Sequence, residues 1–130
     1  RFIDEKNQNK AILELYKNNL IESCHDISSG GAWVALVEMV LGEKGEPVVG
    51  ITLSIKNDKN IITELFSENA GFILATKDIN QTEALLNQQD VYFTTLGKTT
   101  KAASIQLNYK RETIVFDINS LKNKWNSFNL

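Results

Sequence analysis

Residues 24–31 read CHDISSGG, and the ten residues that follow, 32–41, read AWVALVEMVL. The first stretch contains the only cysteine and the only histidine of the chain, and it ends in two glycines. The second stretch is apolar on nearly every side except at Glu38, which is typical of a helix buried over most of its surface. The sequence therefore predicts a glycine-containing loop that leads into a buried helix, with Gly42 as its end.

The segments on either side of this helix differ in character. Before the loop, Ala11, Ile12, Leu15 and Tyr16 recur at helical spacing, which predicts an amphipathic helix over 4–20 with Asp4 as its N-cap. After the helix, residues 42–47 (GEKGEP) contain the only proline and predict a turn-rich linker.

The rest of the chain mixes strand and helix patterns. Alternation and β-branched residues predict strands over 48–55, 71–76 (a buried strand), 91–96, 104–109 and 112–116, the last two joined as a hairpin. Helices are predicted over 82–89 with Asn80 or Thr82 as cap, and from a cap at Asp117 or Asn119 through Trp125, whereas the pattern over 61–66 is ambiguous and fits a short helix. This order predicts an α+β domain over 1–130, with helices packed on a mostly antiparallel sheet of about four strands.

Composition excludes several classes of function. A net charge of −2 argues against a nucleic-acid surface, which needs a basic stripe, and against a polybasic membrane patch. No apolar run reaches the roughly 18 residues of a membrane span. One cysteine cannot form an internal disulfide, so we expect a cytoplasmic protein. The chain opens on Arg1 rather than on methionine, and we expect it to be an excised piece of a longer protein.

The CHDISSGG loop is the first candidate site. A loop that enters a helix presents backbone N–H groups and the positive end of the helix dipole, and Gly30 and Gly31 let a phosphate approach the backbone. Asp26 could hold Mg²⁺ through its carboxylate, and His25 could donate a hydrogen bond to a phosphate. The same residues also fit a simple turn in which Ser28 or Ser29 caps the helix.

A second candidate, LFSENAGF at 65–72, precedes a predicted strand. Glu68 and Asn69 could be presented to a ligand there, although Asn and Gly are also ordinary turn residues. A Cys24–His25 nucleophile pair is disfavoured because adjacent residues of an extended chain point in opposite directions. A zinc site is disfavoured because one cysteine and one histidine are too few ligands.

Taken together, these motifs resemble one family. HDISSGGAWVALVEMVLG, then LFSENAGF, VYFTTLG and finally DINSLKNKW are similar to the C-terminal domain of formylglycinamidine ribonucleotide synthetase, of the aminoimidazole ribonucleotide synthetase superfamily. That family carries a His-Asp-x-Ser-Asp-Gly-Gly-Leu run, followed by Ala-Leu-x-Glu-Met and a Leu-Phe-Ser-Glu segment. The resemblance spans the chain from about Lys10 to Trp125.

The resemblance implies a role in purine biosynthesis. Members use ATP and Mg²⁺ to phosphorylate an amide-type oxygen, and ammonia from a glutaminase partner then displaces the phosphate to give an amidine. The ATP-site domains would lie upstream in the parent, so the resemblance implies no catalytic residue in this fragment and an inactive isolated piece. It implies a phosphate or nucleotide pocket formed by His25, Asp26, Ser28, Gly30, Gly31, Glu68 and Asn69. A face that packs on the ATP-site partner would let the fragment self-associate.

Three positions depart from the family pattern. Ser29 stands in place of the second acid of the loop, Ala32 followed by Trp33 replaces the leucine, and Phe72 replaces an arginine. The first change removes one possible metal ligand and the last removes one possible phosphate contact. Two alternatives therefore stay open: a non-catalytic binding or assembly module, and the same domain type from another superfamily enzyme such as aminoimidazole ribonucleotide synthetase.

Overall fold

The computed structural model describes residues 2–42 and 49–128, which form five helices and six strands. In chain order these are α1 (Phe2–Lys17), β1 (Ile21–Asp26), α2 (Gly31–Leu41), β2 (Gly50–Ser54), α3 (Ile61–Phe66), β3 (Phe72–Thr76), α4 (Ile79–Gln88), β4 (Gly97–Thr100), β5 (Ser104–Tyr109), β6 (Glu112–Asp117) and α5 (Ile118–Phe128). The predicted α+β class is confirmed. No helix among the described residues combines the length and the apolar character that crossing a membrane requires.

The chain divides into two compact units, and each unit is built from two separate segments. Unit 1 runs to Ser28 and resumes over Asn69–Thr95, whereas unit 2 comprises Ser29–Glu68 and continues from Leu96. In unit 1, β1 and β3 form a two-stranded antiparallel sheet, and α1 contacts α4. Its core consists of Ala11, Leu15, Leu20, Ile21 and Leu86.

Unit 2 contains a four-stranded sheet in the order β4-β2-β5-β6. The β2–β5 pair is parallel and the other two pairs are antiparallel, which agrees with the predicted mostly antiparallel sheet. Helix α2 contacts α3 and α5, and its buried residues are Gly31, Ala32, Ala35, Leu36, Val37 and Val40. The predicted buried helix is thus confirmed, and the Gly42 N–H donates to the Glu38 carbonyl oxygen at 3.1 Å, as expected of a C-cap.

Several other predictions are confirmed with small shifts in their ends. The short helix α3 begins after Asn60, whose side-chain oxygen accepts hydrogen bonds from the N–H groups of Ile62 and Thr63. The β5–β6 hairpin turns at Lys110 and Arg111, which both have positive φ. Asp117 is the acceptor for the first turn of α5, through a 2.9 Å bond from the Ser120 N–H. The predicted linker lies outside the described residues apart from Gly42.

Four predictions about helices are wrong. Helix α1 begins at Phe2 and so already includes Asp4, which cannot be its N-cap. Tyr16 was predicted on the apolar face of that helix but is 55% exposed. Helix α4 begins at Ile79, and its cap is Asp78, whose carboxylate accepts from the Gln81 N–H. Thr82, predicted as a possible cap, lies inside the helix and is buried.

Two predictions about strands also need correction. Residues 91–96 form no strand, and β4 begins only at Gly97. Val91 and Phe93 nevertheless pack against the core of unit 1. The apolar residues that suggested a strand are therefore explained by this packing. The strand predicted as buried, β3, has Ile73 as its only buried residue, because it belongs to a sheet of two strands and not to the four-stranded sheet.

Candidate functional site

The glycine pair before α2 adopts a conformation that side chains disfavour. Gly30 has φ 88° and Gly31 has φ 70°, both in the left-handed region. Gly30 is the N-cap of α2, and no side chain caps this helix end. The alternative in which Ser28 or Ser29 caps the helix is therefore wrong, and the glycines form the turn through their backbone.

Gly31 also lies against the backbone that follows α3. A Cβ atom at Gly31 would lie 2.7 Å from the Phe66 carbonyl carbon and 2.8 Å from the Ser67 oxygen. Atoms this close leave no room for a methyl group, so the start of α2 and the end of α3 can meet only because this residue is glycine. The two sequence motifs are thus in direct contact within unit 2.

A hydrogen bond strengthens this contact. The Gly30 backbone N–H donates to Oε1 of Glu68 at 2.9 Å, and the two residues are 38 positions apart in the chain. A carboxylate is a favourable acceptor near the start of a helix because it also interacts with the helix dipole. The Gly30 N–H is consequently already bonded within the protein.

The same two motifs also pair within unit 1. Strand β1 places His25 opposite Ile73 and Asp26 opposite Phe72, and the Ile27 N–H donates to the Gly71 oxygen at 2.9 Å. Residues that precede the glycine turn thus run antiparallel to residues that follow Glu68. This pairing brings the imidazole and the carboxylate to the end of β1.

The hydrogen bond of His25 defines which ring nitrogen carries a proton. Its Nδ1 lies 2.7 Å from the backbone oxygen of Asp26 and 3.7 Å from the Asp26 Oδ1. Because a carbonyl oxygen can only accept, Nδ1 is the donor, and Nε2 is the acceptor nitrogen of the neutral ring. The Asp26 side chain is 72% exposed, which leaves its carboxylate accessible to a ligand.

The remaining candidates are distributed between the two units. Unit 1 contains His25 and Asp26 together with Ser28 and Asn69, both of which are exposed. Unit 2 contains Gly30, Gly31 and Glu68, which contact one another through the turn described above. Sequence reasoning named all of these residues but did not pair Glu68 with Gly30, because nothing local to either residue indicates a partner 38 positions away.

Two further observations bear on the chemistry of this region. Burial raises the pKa of the Cys24 thiol, and the charge of Asp26 raises it further, so this cysteine is a poor nucleophile at neutral pH. Among the described residues, no group of three or more His, Cys, Asp or Glu side chains is placed to hold a metal ion.

Three of the residues that depart from the resemblance, Ala32, Trp33 and Phe72, differ in their surroundings. Trp33 packs against Phe116 of β6 with ring centroids 4.9 Å apart, and Ala32 beside it is buried. Phe72, at a position where the resemblance implies an arginine, is 40% exposed. The aromatic ring at 33 thus joins α2 to the four-stranded sheet.

Comparison with known proteins gives a consistent match. The family model described as "AIR synthase related protein, C-terminal domain" matches residues 2–110. The chain is 31% identical over 130 residues to the major tegument protein of Epstein-Barr virus (strain AG876), covering 95% of this chain and 10% of that protein. It is 28% identical over 127 residues to phosphoribosylformylglycinamidine synthase subunit PurL of Thermococcus sibiricus, covering 95% of this chain and 17% of that subunit.

A solved structure has the same fold. Thermotoga maritima PurL complexed with ATP superposes with a TM-score of 0.72 at 18% identity, over 90% of this chain and 21% of the other. The chain spans between 10% and 17% of the length of the two curated relatives described above.

Proposed function

Since the chain belongs to the AIR synthase related proteins as their C-terminal domain, of the type found in phosphoribosylformylglycinamidine synthase, we propose that it serves an ATP-dependent ligase. The parent would convert formylglycinamide ribonucleotide, ATP and glutamine-derived ammonia to formylglycinamidine ribonucleotide in purine biosynthesis. Residues 1–130 would act as one domain of that longer protein, and the isolated domain would be inactive. The proposal takes its reaction from the relatives, of which this chain covers a small part.

The hydrogen bond between the Gly30 N–H and Glu68 is the observation that carries the site proposal. It joins the two motifs on which the family resemblance rests, although they are far apart in the chain. The packing of Gly31 supports the same site proposal, because a Cβ atom at this position would clash with the backbone at the end of α3. Holding this turn in place restricts the backbone and costs conformational entropy. Restrained loops with uncommon backbone conformations are frequent at ligand-binding sites.

Five of the candidate residues have a proposed role in holding phosphate or nucleotide. His25 would donate a ring N–H to a phosphate oxygen, and Ser28 would donate from its hydroxyl. Asn69 would donate from its amide, while Gly30 and Gly31 would let the ligand approach the backbone. No residue of this chain is proposed to be catalytic, because a phosphoryl-transfer site also needs cationic and nucleotide-binding groups that the resemblance places upstream.

The residues fit Mg²⁺ only in company with a nucleotide. Asp26 offers an exposed carboxylate, and Mg²⁺ is commonly bound by one or two carboxylates together with substrate phosphates. When bound, ATP with Mg²⁺ supplies the phosphoryl group that activates an amide-type oxygen. Asp26 would orient the cation, and the glycine turn would admit the phosphates.

Calorimetric titration of the chain with Mg-ATP tests this proposal. Binding should be weakened about tenfold by Asp26→Ala, since one charged contact contributes roughly that much. Asp58→Ala removes an exposed carboxylate from the turn before α3 and serves as the matched control. Equal affinities for the two variants, or no heat with the unaltered chain, would count against a nucleotide site in this domain.

Partners and location follow from the same proposal. The domain would pack on upstream ATP-site domains of its own chain, and the parent would receive ammonia from a glutaminase subunit or domain in the cytoplasm. No nucleic acid or membrane partner is proposed. An isolated domain with an unpartnered face would self-associate, and sedimentation at high protein concentration tests this point. A monomer at all concentrations would contradict it.

A second candidate is a non-catalytic binding or assembly module. The similarity to a protein named for the viral tegument and not for an enzymatic activity favours it, as do Ser29 and Phe72 in place of an acid and an arginine. The two candidates differ in one cheap measurement. Absence of Mg-ATP binding together with a folded, cooperative domain would favour the module.

A further inference from the structure

Glu68 is one of the proposed ligand contacts, yet its carboxylate is already engaged with the protein. Its Oε1 accepts a hydrogen bond from the Gly30 N–H at 2.9 Å, and the two residues are 38 positions apart in the chain. An ionised carboxylate only accepts hydrogen bonds, so Glu68 cannot donate one to a phosphate oxygen.

We infer that Glu68 is a positioning residue that holds the Gly30–Gly31 turn in its left-handed conformation, and that it does so as a hydrogen-bond acceptor. This inference rests on the proposed function for the meaning of the turn and refines the role of one residue in it. Ligand would be contacted by the Gly30–Gly31 turn, whereas Glu68 would act through Gly30.

The local geometry explains why the turn needs such support. Gly30 and Gly31 have φ values of 88° and 70°, a conformation that glycine adopts readily. Glycine also has the largest conformational freedom of any residue, so it leaves this conformation easily unless other contacts restrain it. Backbone packing of Gly31 against Phe66 and Ser67 restrains one of the two residues. The hydrogen bond that the Gly30 N–H donates to Glu68 restrains the other, which is the N-cap of α2 and offers no side chain of its own to cap the helix.

The position of Glu68 suits this role. It follows the end of α3, where the Ser67 N–H donates to the Thr63 carbonyl oxygen at 3.3 Å and closes the helix. The segment that carries Glu68 is thereby attached to a helix whose own start is capped by Asn60. A short helix fixed at both ends offers a defined point from which the carboxylate reaches the turn.

The experiment distinguishes a requirement for a hydrogen-bond acceptor at position 68 from a requirement for a negative charge there. Glu68→Gln keeps an acceptor oxygen of similar reach but removes the negative charge, whereas Glu68→Ala removes both. Glu64→Ala removes the same kind of carboxylate one helical turn earlier and is the matched control. Hydrogen exchange of the Gly30 amide is followed by NMR for each variant, and Mg-ATP affinity is measured by calorimetry.

The inference predicts about tenfold faster exchange of the Gly30 amide in Glu68→Ala, with near-normal exchange in Glu68→Gln and Glu64→Ala. Mg-ATP affinity should fall in Glu68→Ala and be retained in Glu68→Gln. Unchanged exchange in Glu68→Ala would overturn the inference, and so would a Glu68→Gln variant that loses affinity as completely as Glu68→Ala, since that would make the charge itself the contact. If no variant binds Mg-ATP while the exchange pattern holds, the proposed function fails and the positioning role stands.

Discussion

The indole ring of Trp33 lies against the phenyl ring of Phe116, with centroids 4.9 Å apart and ring planes inclined by 58°. This tilted arrangement is one of the favourable geometries for aromatic pairs. It links the first turn of α2 to the edge strand β6, so the helix that follows the glycine turn is anchored to the four-stranded sheet.

Replacing either ring should therefore destabilise unit 2. Trp33→Ala and Phe116→Ala are each expected to lower the free energy of unfolding by about 2 kcal/mol, below the full value for a buried ring because both are half-buried. In a double-mutant cycle from urea denaturation, the coupling should be about 1 kcal/mol. Tyr92→Ala, which removes a ring that is 84% exposed, should change little. Additive effects of the Trp33 and Phe116 variants would refute the coupling.

The glycine turn gives a second prediction. Gly31→Ala should lower the free energy of unfolding by more than about 2 kcal/mol, because positive φ alone costs an alanine 1–2 kcal/mol and the methyl group would press on the backbone of Phe66 and Ser67. Gly71→Ala is the control, since its Cβ would meet only Ile27 Cδ1 at an ordinary 3.6 Å. Thermal unfolding of both variants decides the point, and similar losses would show that the close approach at Gly31 carries no special cost.

The parts of the structure that the sequence predicts are those that depend on local patterns. Helix α2 and the β5–β6 hairpin were predictable because their patterns are local: an apolar run closed by Gly42, and two alternating segments around a two-residue turn. The division into two sheets was not predictable in this way, because strand pairing depends on contacts between distant segments. For the same reason the sequence named Gly30 and Glu68 as candidates without joining them.

The segment 91–96 illustrates a different failure. Its alternation correctly separates Val91 and Phe93, which pack on the core of unit 1, from Tyr92, which is exposed. Alternation reports that one side of an extended chain is buried, but it does not report whether a neighbouring strand is available for hydrogen bonding. Here Val91 and Phe93 pack on one side of the segment, although residues 91–96 form no strand.

A buried hydroxyl pair gives the third prediction. Thr82 is 2% exposed, and its Oγ1 lies 2.6 Å from the Oγ1 of Thr76. Thr76 donates its one hydroxyl proton to the Asp78 carbonyl oxygen, so Thr82 is the donor within the pair. Thr82→Val should lower the free energy of unfolding by about 1 kcal/mol.

Thr95→Val provides the matched control for this change. It makes the same substitution at an exposed threonine that donates to Glu83, and it should cost less than about 0.5 kcal/mol. Urea denaturation at neutral pH measures both variants. If the two values coincide, the buried hydroxyl bond does not contribute more than a surface one.

Cys24 gives the last prediction, which concerns pH. Burial is the larger cause of its raised pKa, and the nearby Asp26 carboxylate is the smaller one. The thiolate is the reactive form, so alkylation by iodoacetamide should have a pH midpoint above that of a free thiol. Asp26→Asn should lower the midpoint, because it removes the like charge, but should not bring it to the free value, because burial remains.

The sign of the stability effect follows from the same shift. A thiol with a raised pKa keeps its proton in the folded state at a pH where the unfolded chain has lost it, so the free energy of unfolding should fall as pH rises through the ordinary thiol range. Glu22→Gln neutralises another carboxylate on β1 and is the control for the alkylation series. A midpoint that moves equally in Asp26→Asn and Glu22→Gln would mean that general charge, and not the neighbouring Asp26, raises the pKa of Cys24.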